Sequence, residues 1–145
     1  MKYFAVLDTN VLVSALMASA KAKESNPMKV VKYVFSGKVR PLYNDDILAE
    51  YKDVLGRKKF RFNPILIETV ISEIKRIGVA VEALEMDEFF PDPDDAVFFE
   101  VAMAFEESEN RKFLVTGNTK HFPRHPIVVT PMQFVNILEE EGIEL

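Results

Sequence analysis

Short apolar runs rich in β-branched and aromatic residues alternate along the chain with longer segments of helical period. The runs are Tyr3–Leu7, Val39–Tyr43, Val79–Val81, Phe113–Thr116 and Ile127–Val129. Several are apolar at successive positions, the pattern of strands buried on both faces. Helical segments separate them, so the expected class is α/β with a parallel sheet covered on both sides. Helices are expected near 10–20, 27–36, 45–56, 64–77, 94–107 and 131–141. Pro27, Pro64 and Pro131 follow the capping-type residues Asn26, Asn63 and Thr130 and mark three helix starts. Gly37, Gly56, Gly78 and Gly142 close helical patterns, as expected where a helix ends in a left-handed residue. In the last helix Met132, Phe134, Val135 and Leu138 are read most simply as core, with a dimer seam as the alternative for some of them. No repeat, low-complexity tract or linker interrupts the pattern, and 145 residues suit a single domain spanning 1–145.

Composition narrows the chemistry. The chain has no cysteine, which excludes a disulfide scaffold, a thiolate metal site and a cysteine nucleophile. Its long uncharged runs, Thr9 to Ala20 and Pro126 to Leu138, are shorter than the roughly 18 apolar residues a membrane span needs. Asp8 interrupts the first apolar stretch too early for a signal peptide, so no membrane association and a cytoplasmic location are expected. The net charge of −5 conceals a division. Residues 1–80 carry 14 Lys and Arg against 8 Asp and Glu, whereas residues 81–145 carry 4 against 15. A polyanion-facing first half and a cation-binding second half fit that division, and so do solvated faces that merely differ.

Ligands of open parallel sheets bind beyond the carboxyl ends of the strands, so residues just after each expected strand carry the functional reading. Asp8 follows the first strand, where a helix N-cap would explain it equally well. Glu50 borders the apolar stripe of Ile47, Leu48, Tyr51, Val54 and Leu55, while Asp46 and Asp53 lie farther toward solvent. Asp95 falls near the middle of the stripe that takes in Phe98, Phe99, Val101, Ala102 and Phe105, a costly place for a charge without a partner. Asp92 and Asp94 are accounted for by a helix start. After the fourth strand come Thr116 and Asn118, which could orient a carboxylate or a metal-bound water, although Gly117-Asn118 is also an ordinary turn pair. Three sheltered carboxylates without a histidine or cysteine cluster point to a hard cation, Mg²⁺ or Mn²⁺, and to metal-assisted phosphodiester hydrolysis.

The blocks Leu7-Asp8-Thr9-Asn10-Val11-Leu12-Val13-Ser14-Ala15, Ile47-Leu48-Ala49-Glu50-Tyr51-Lys52-Asp53-Val54-Leu55, Asp92-Pro93-Asp94-Asp95 with Phe98-Phe99, and Val115-Thr116-Gly117-Asn118 together resemble the PIN-domain family. The subgroup they resemble is the toxin components of prokaryotic toxin–antitoxin pairs. The resemblance covers nearly the whole chain and rests on four blocks in order, none diagnostic alone. It implies a three-layer α/β/α sandwich around a central parallel sheet and a Mg²⁺- or Mn²⁺-dependent endoribonuclease. By position, the catalytic and metal-binding acids are Asp8, Glu50 and Asp95, with Asn118 where the family often has a fourth acid and with Asn10 and Thr116 in support. The resemblance also implies an RNA substrate, a cognate antitoxin and a homodimer. A non-catalytic RNA- or partner-binding module on the same fold is the alternative.

Two further features stand beside these blocks. Arg57-Lys58-Lys59-Phe60-Arg61-Phe62 places four cations and two aromatics in six residues, a composition suited to phosphate contact and base stacking, or to a solvated loop. His121 and His125 lie in a proline-flanked segment and are expected to have turn roles rather than to bind ligands.

Overall fold

The computed structural model describes residues 2–83, 90, 93–106 and 111–145. Among these, β1 (Tyr3–Leu7), β2 (Arg40–Tyr43), β3 (Val79–Ala80), β4 (Arg111–Val115) and β5 (Val128–Val129) form one sheet. Its order is β3-β2-β1-β4-β5, and every pairing is parallel. The helices are α1 (Thr9–Ala20), α2 (Asn26–Phe35), α3 (Asp45–Leu55), α4 (Pro64–Ile77), α5 (Ala96–Ala104) and α6 (Pro131–Glu140). Short 3₁₀ turns occupy Lys58–Phe60, Pro93–Asp95 and Thr119–His121.

All five residues of β1 are buried. Successive strand side chains point to opposite faces, so the sheet must be covered on both, which is what its unbroken apolar run required. The helices supply that cover and give three layers: α5 packs across β1, β2 and β4, α6 against β4, and α4 against β2. α2 bridges α1 and α6. Met132 is not core but 57% exposed, whereas Phe134, Val135 and Leu138 are buried. At 100° per residue it lies well off the stripe those three share with Pro131.

The helix starts and stops have local causes. Asn63 and Thr130 accept the N–H groups of Ile65 and Gln133, and Gln133 returns a bond to the Thr130 N–H, completing a capping box. The cap of α2 is Ser25 rather than Asn26, and Asn44 caps α3. Gly37 and Gly142 have positive φ, as a left-handed stop requires. Gly56 and Gly78 do not: their φ values are −79° and −90°. At Gly78 a Cβ would come within 2.5 Å of the Ile74 carbonyl oxygen and 2.6 Å of that of Pro41, so close backbone approach excludes a side chain. The expected 94–107 helix is a 3₁₀ turn followed by α5, which ends at Ala104; Asp92 and residue 107 lie outside the described residues.

The chain builds β1, β2 and β3 outward in one direction and then crosses back to add β4 on the other side of β1. The order reverses between β1 and β4. Beyond the carboxyl ends of that pair lies the crevice where ligands of such sheets bind.

Candidate active site at the carboxyl edge

Asp8 and Thr116 meet at this reversal. The Asp8 N–H donates to the Val115 carbonyl at 2.9 Å, extending the β1–β4 ladder by one residue. The Asp8 carbonyl then accepts from Val11 and opens α1. Asp8 therefore occupies the N-cap position, yet its side chain makes no capping hydrogen bond. Instead Oδ2 accepts from Thr116 Oγ1 at 2.7 Å and from Asn10 Nδ2 at 3.2 Å. Thr116 Oγ1 also accepts the Asn118 N–H at 3.0 Å, and Asn10 Oδ1 accepts the Gly117 N–H at 3.0 Å. Two side chains thus clasp the loops after β1 and β4 around one carboxylate.

That carboxylate is held in a place that disfavours its charge. Asp8 is 5% exposed and Thr116 fully buried. Burial pushes the Asp8 carboxyl above its ordinary range, opposed by the Thr116 hydrogen bond, the Thr9 and Asn10 N–H groups and the proximity of His121. From the other side, Tyr51 on α3 donates to the Leu7 carbonyl at 2.5 Å. Burial, reinforced by the charge of Asp8, pushes the Tyr51 phenol above its ordinary range, so it remains a neutral donor. This bond fixes the last residue of β1 and draws α3 across the strand's carboxyl end. Glu50, half-buried, is the preceding residue on that helix.

Asp95 ends the 3₁₀ turn before α5 and occupies its N-cap position, so it precedes the apolar stripe instead of interrupting it. Its side chain is 15% exposed, and its Oδ2 lies 3.2 Å from His121 Nδ1. The other ring nitrogen, Nε2, is 2.9 Å from Asn118 Nδ2. The contact with Asp95 is one of charge proximity, since Asp95 Oδ2 is buried and receives no hydrogen bond among the described residues. His121 accordingly links the turn after β4 to Asp95 and is felt electrostatically at Asp8, a role the turn expectation missed. His125 does have a turn role: its Nδ1 accepts the Ile127 N–H.

The donor chemistry suits a hard cation. Carboxylate oxygens from Asp8 and Asp95, with Glu50 and the amide oxygen of Asn118 within the same blocks, are the ligands Mg²⁺ and Mn²⁺ prefer. The hydroxyl of Thr9, next to Asp8, is buried without a hydrogen-bond partner among the described residues. No three His, Cys, Asp or Glu among the described residues form a preassembled cation cage.

A parallel sheet covered by helices on both faces, with a buried aspartate at the point where its strand order reverses, defines the class as α/β. The chain belongs to the PIN-domain family: the family model for the PIN domain matches residues 5–120, which include Asp8, Glu50, Asp95 and Asn118. PIN domains are typically nucleases that use divalent metals, so the activity expected at this edge is of nuclease type. No curated protein and no solved structure matches the chain. No helix among the described residues is long and apolar enough to cross a membrane.

Proposed function

We propose that this protein is a divalent-metal-dependent endoribonuclease and the toxin of a toxin–antitoxin pair, acting in the cytoplasm as a homodimer neutralised by its antitoxin. The observation that carries the catalytic reading is Asp8. Its carboxylate is buried at the switch point, where Thr116 and the Asn10 side chain hold it in addition to the N–H groups that open α1. The toxin, dimer and antitoxin parts rest on the sequence resemblance.

Asp8, Glu50 and Asp95 would hold Mg²⁺ or Mn²⁺, with the Asn118 amide as a neutral donor; when bound, the ion acidifies a water and draws charge from a phosphate oxygen. The chain's own part is positional. Thr116 and Asn10 fix the direction of Asp8, Tyr51 fixes the backbone that carries it, and His121 holds Asp95. One of the carboxylates accepts the proton of the attacking water as its oxygen bonds to phosphorus and the ester oxygen leaves.

Asn118 gives weight to a second reading, a module that binds RNA or a partner without cleaving it. RNA cleavage with Mg²⁺ or Mn²⁺ separates the two. Wild type should cleave, while Asp8→Ala and Asp95→Asn should lose most of the rate. Activity indifferent to both changes rejects the assigned site, and salt-sensitive RNA binding without turnover under either metal selects the second reading.

A further inference from the structure

The turn after α3 holds a second feature that the acidic edge does not use. Phe60 and Phe62 stack with ring centroids 5.6 Å apart and planes inclined by 13°. Phe62 packs against the core, whereas Phe60 is half-exposed and is carried outward on it. Arg61 between them adopts a left-handed conformation, φ 56° and ψ 30°, which is uncommon for a bulky residue and persists only where the surroundings enforce it. Lys59 Nζ lies 5.1 Å from the centroid of the Phe60 ring. Arg57 pairs with Asp53, while Lys58, Lys59 and Arg61 are exposed and pair with no carboxylate among the described residues.

The turn also stands on the side of the sheet where the acids are. Arg40, at the start of β2, donates to the carbonyls of Ile77 and Gly78 at the end of α4. The 14 residues of α4 reach about 21 Å back along the strands, whereas β2 spans about 13 Å. The first residues of α4, and the turn before them, therefore overhang the carboxyl edge.

We propose that Arg57–Phe62 is a platform for single-stranded nucleic acid, stacking an unpaired base on Phe60 and taking its phosphates on Lys58, Lys59 and Arg61, beside the acidic edge. Aromatic faces flanked by cations meet the two sequence-independent needs of a single strand, base stacking and phosphate neutralisation. A duplex hides its base faces and offers only the second. That the strand is RNA rests on the ribonuclease reading; the binding chemistry does not.

The test is fluorescence anisotropy in EDTA with labelled twelve-nucleotide oligo(U), oligo(dT) and an RNA duplex, against wild type and Phe60→Leu, which keeps apolar bulk and removes the aromatic face. The expected result is single-strand binding by wild type, weakened roughly five- to a hundredfold in Phe60→Leu at unchanged Tm. Phe60→Trp should bind as wild type does. Lys58→Ala with Lys59→Ala should flatten the salt dependence of log affinity by about 1.4 for a single strand. Equal affinity of Phe60→Leu and wild type overturns the platform. Displacement of oligo(U) by polyglutamate as effective as by unlabelled oligo(U) overturns it too, in favour of an acidic protein partner. Loss of cleavage with binding retained sinks the ribonuclease reading and leaves the platform standing; cleavage retained with Phe60→Leu binding normally does the reverse.

Discussion

Replacing Thr116 by Val keeps the side chain's shape and removes one hydroxyl from a fully buried position. That hydroxyl donates to Asp8 at 2.7 Å and accepts from the Asn118 N–H at 3.0 Å. A hydrogen bond to a charged group contributes about 1.5–3 kcal/mol net, and a partly buried N–H left without an acceptor costs about 1 kcal/mol more. Together these give a loss of about 2.5–4 kcal/mol, or roughly 8–13 °C in Tm for a chain of this size. The loss should depend on pH. The Thr116 bond favours ionised Asp8, so Thr116→Val raises a carboxyl pKa that burial has already raised. Its effect is complete where Asp8 is ionised and shrinks as pH falls through the range above the ordinary value of 3.8.

Urea unfolding of wild type, Thr116→Val and Thr116→Ser in EDTA, at pH 7.5 and again near pH 3, measures both parts. Ser keeps the hydroxyl, so it should recover most of what Val loses at pH 7.5, and the Val deficit should narrow at pH 3. A Val deficit below about 0.5 kcal/mol at pH 7.5, or one equal at both pH values, would show that the hydroxyl does not support a charged Asp8. In that case the clasp around Asp8 has no energetic content and the site loses its organising contact.

Other outcomes follow from the same geometry. Asp8→Asn should raise the Tm of metal-free protein at neutral pH; because the folded pKa is raised, wild type loses stability as pH climbs from the ordinary 3.8 through the folded value, so the advantage should fade on acidification and a Tm profile in EDTA that is flat in pH counts against it. Tyr51→Phe removes the buried donor to Leu7 and should cost about 1–3 kcal/mol in urea unfolding, with a fall in any cleavage rate; an unchanged midpoint would separate Tyr51 from the site. Gly78→Ala meets two backbone oxygens and should cost about 3 kcal/mol, whereas Gly37→Ala has open space and only its φ of 83° to overcome, about 1 kcal/mol; the reverse ranking of their denaturation midpoints would refute the close-approach account.

The sheet was legible because burial on both faces leaves a signal that needs no partner to read: unbroken apolar runs such as Tyr3–Leu7, spaced by helices. Strand ends moved by one or two residues, as at Arg111–Val115, where polar residues enter the ladder through backbone bonds that side-chain pattern does not report. The glycines show a different limit. A left-handed stop and a close backbone approach both select Gly, so Gly37 and Gly78 look alike in sequence; only the Pro41 carbonyl facing Gly78, 37 residues away in the chain, distinguishes them.

The same distinction between local and distant causes divides the site. Asp8 stood out because it follows a strand directly, and Thr116 because it ends the strand that the topology brings alongside. His121 did not, since its partners Asp95 and Asn118 come from different connections and nothing in the spacing of a single histidine reports a carboxylate 26 positions earlier. What could have found it was the anomaly at Asp95 itself: a sheltered carboxylate calls for a counter-group. The β4 connection offers four such groups, Lys120, His121, Arg124 and His125, and sequence alone does not choose among them. Asp95 sits at the start of α5 with its carboxylate beside His121, but Oδ2 remains buried and receives no hydrogen bond among the described residues. The charge that looked misplaced on a helix thus keeps one buried oxygen without a hydrogen bond, the kind of position a bound cation would satisfy, and His121 stands between it and the Asn118 amide.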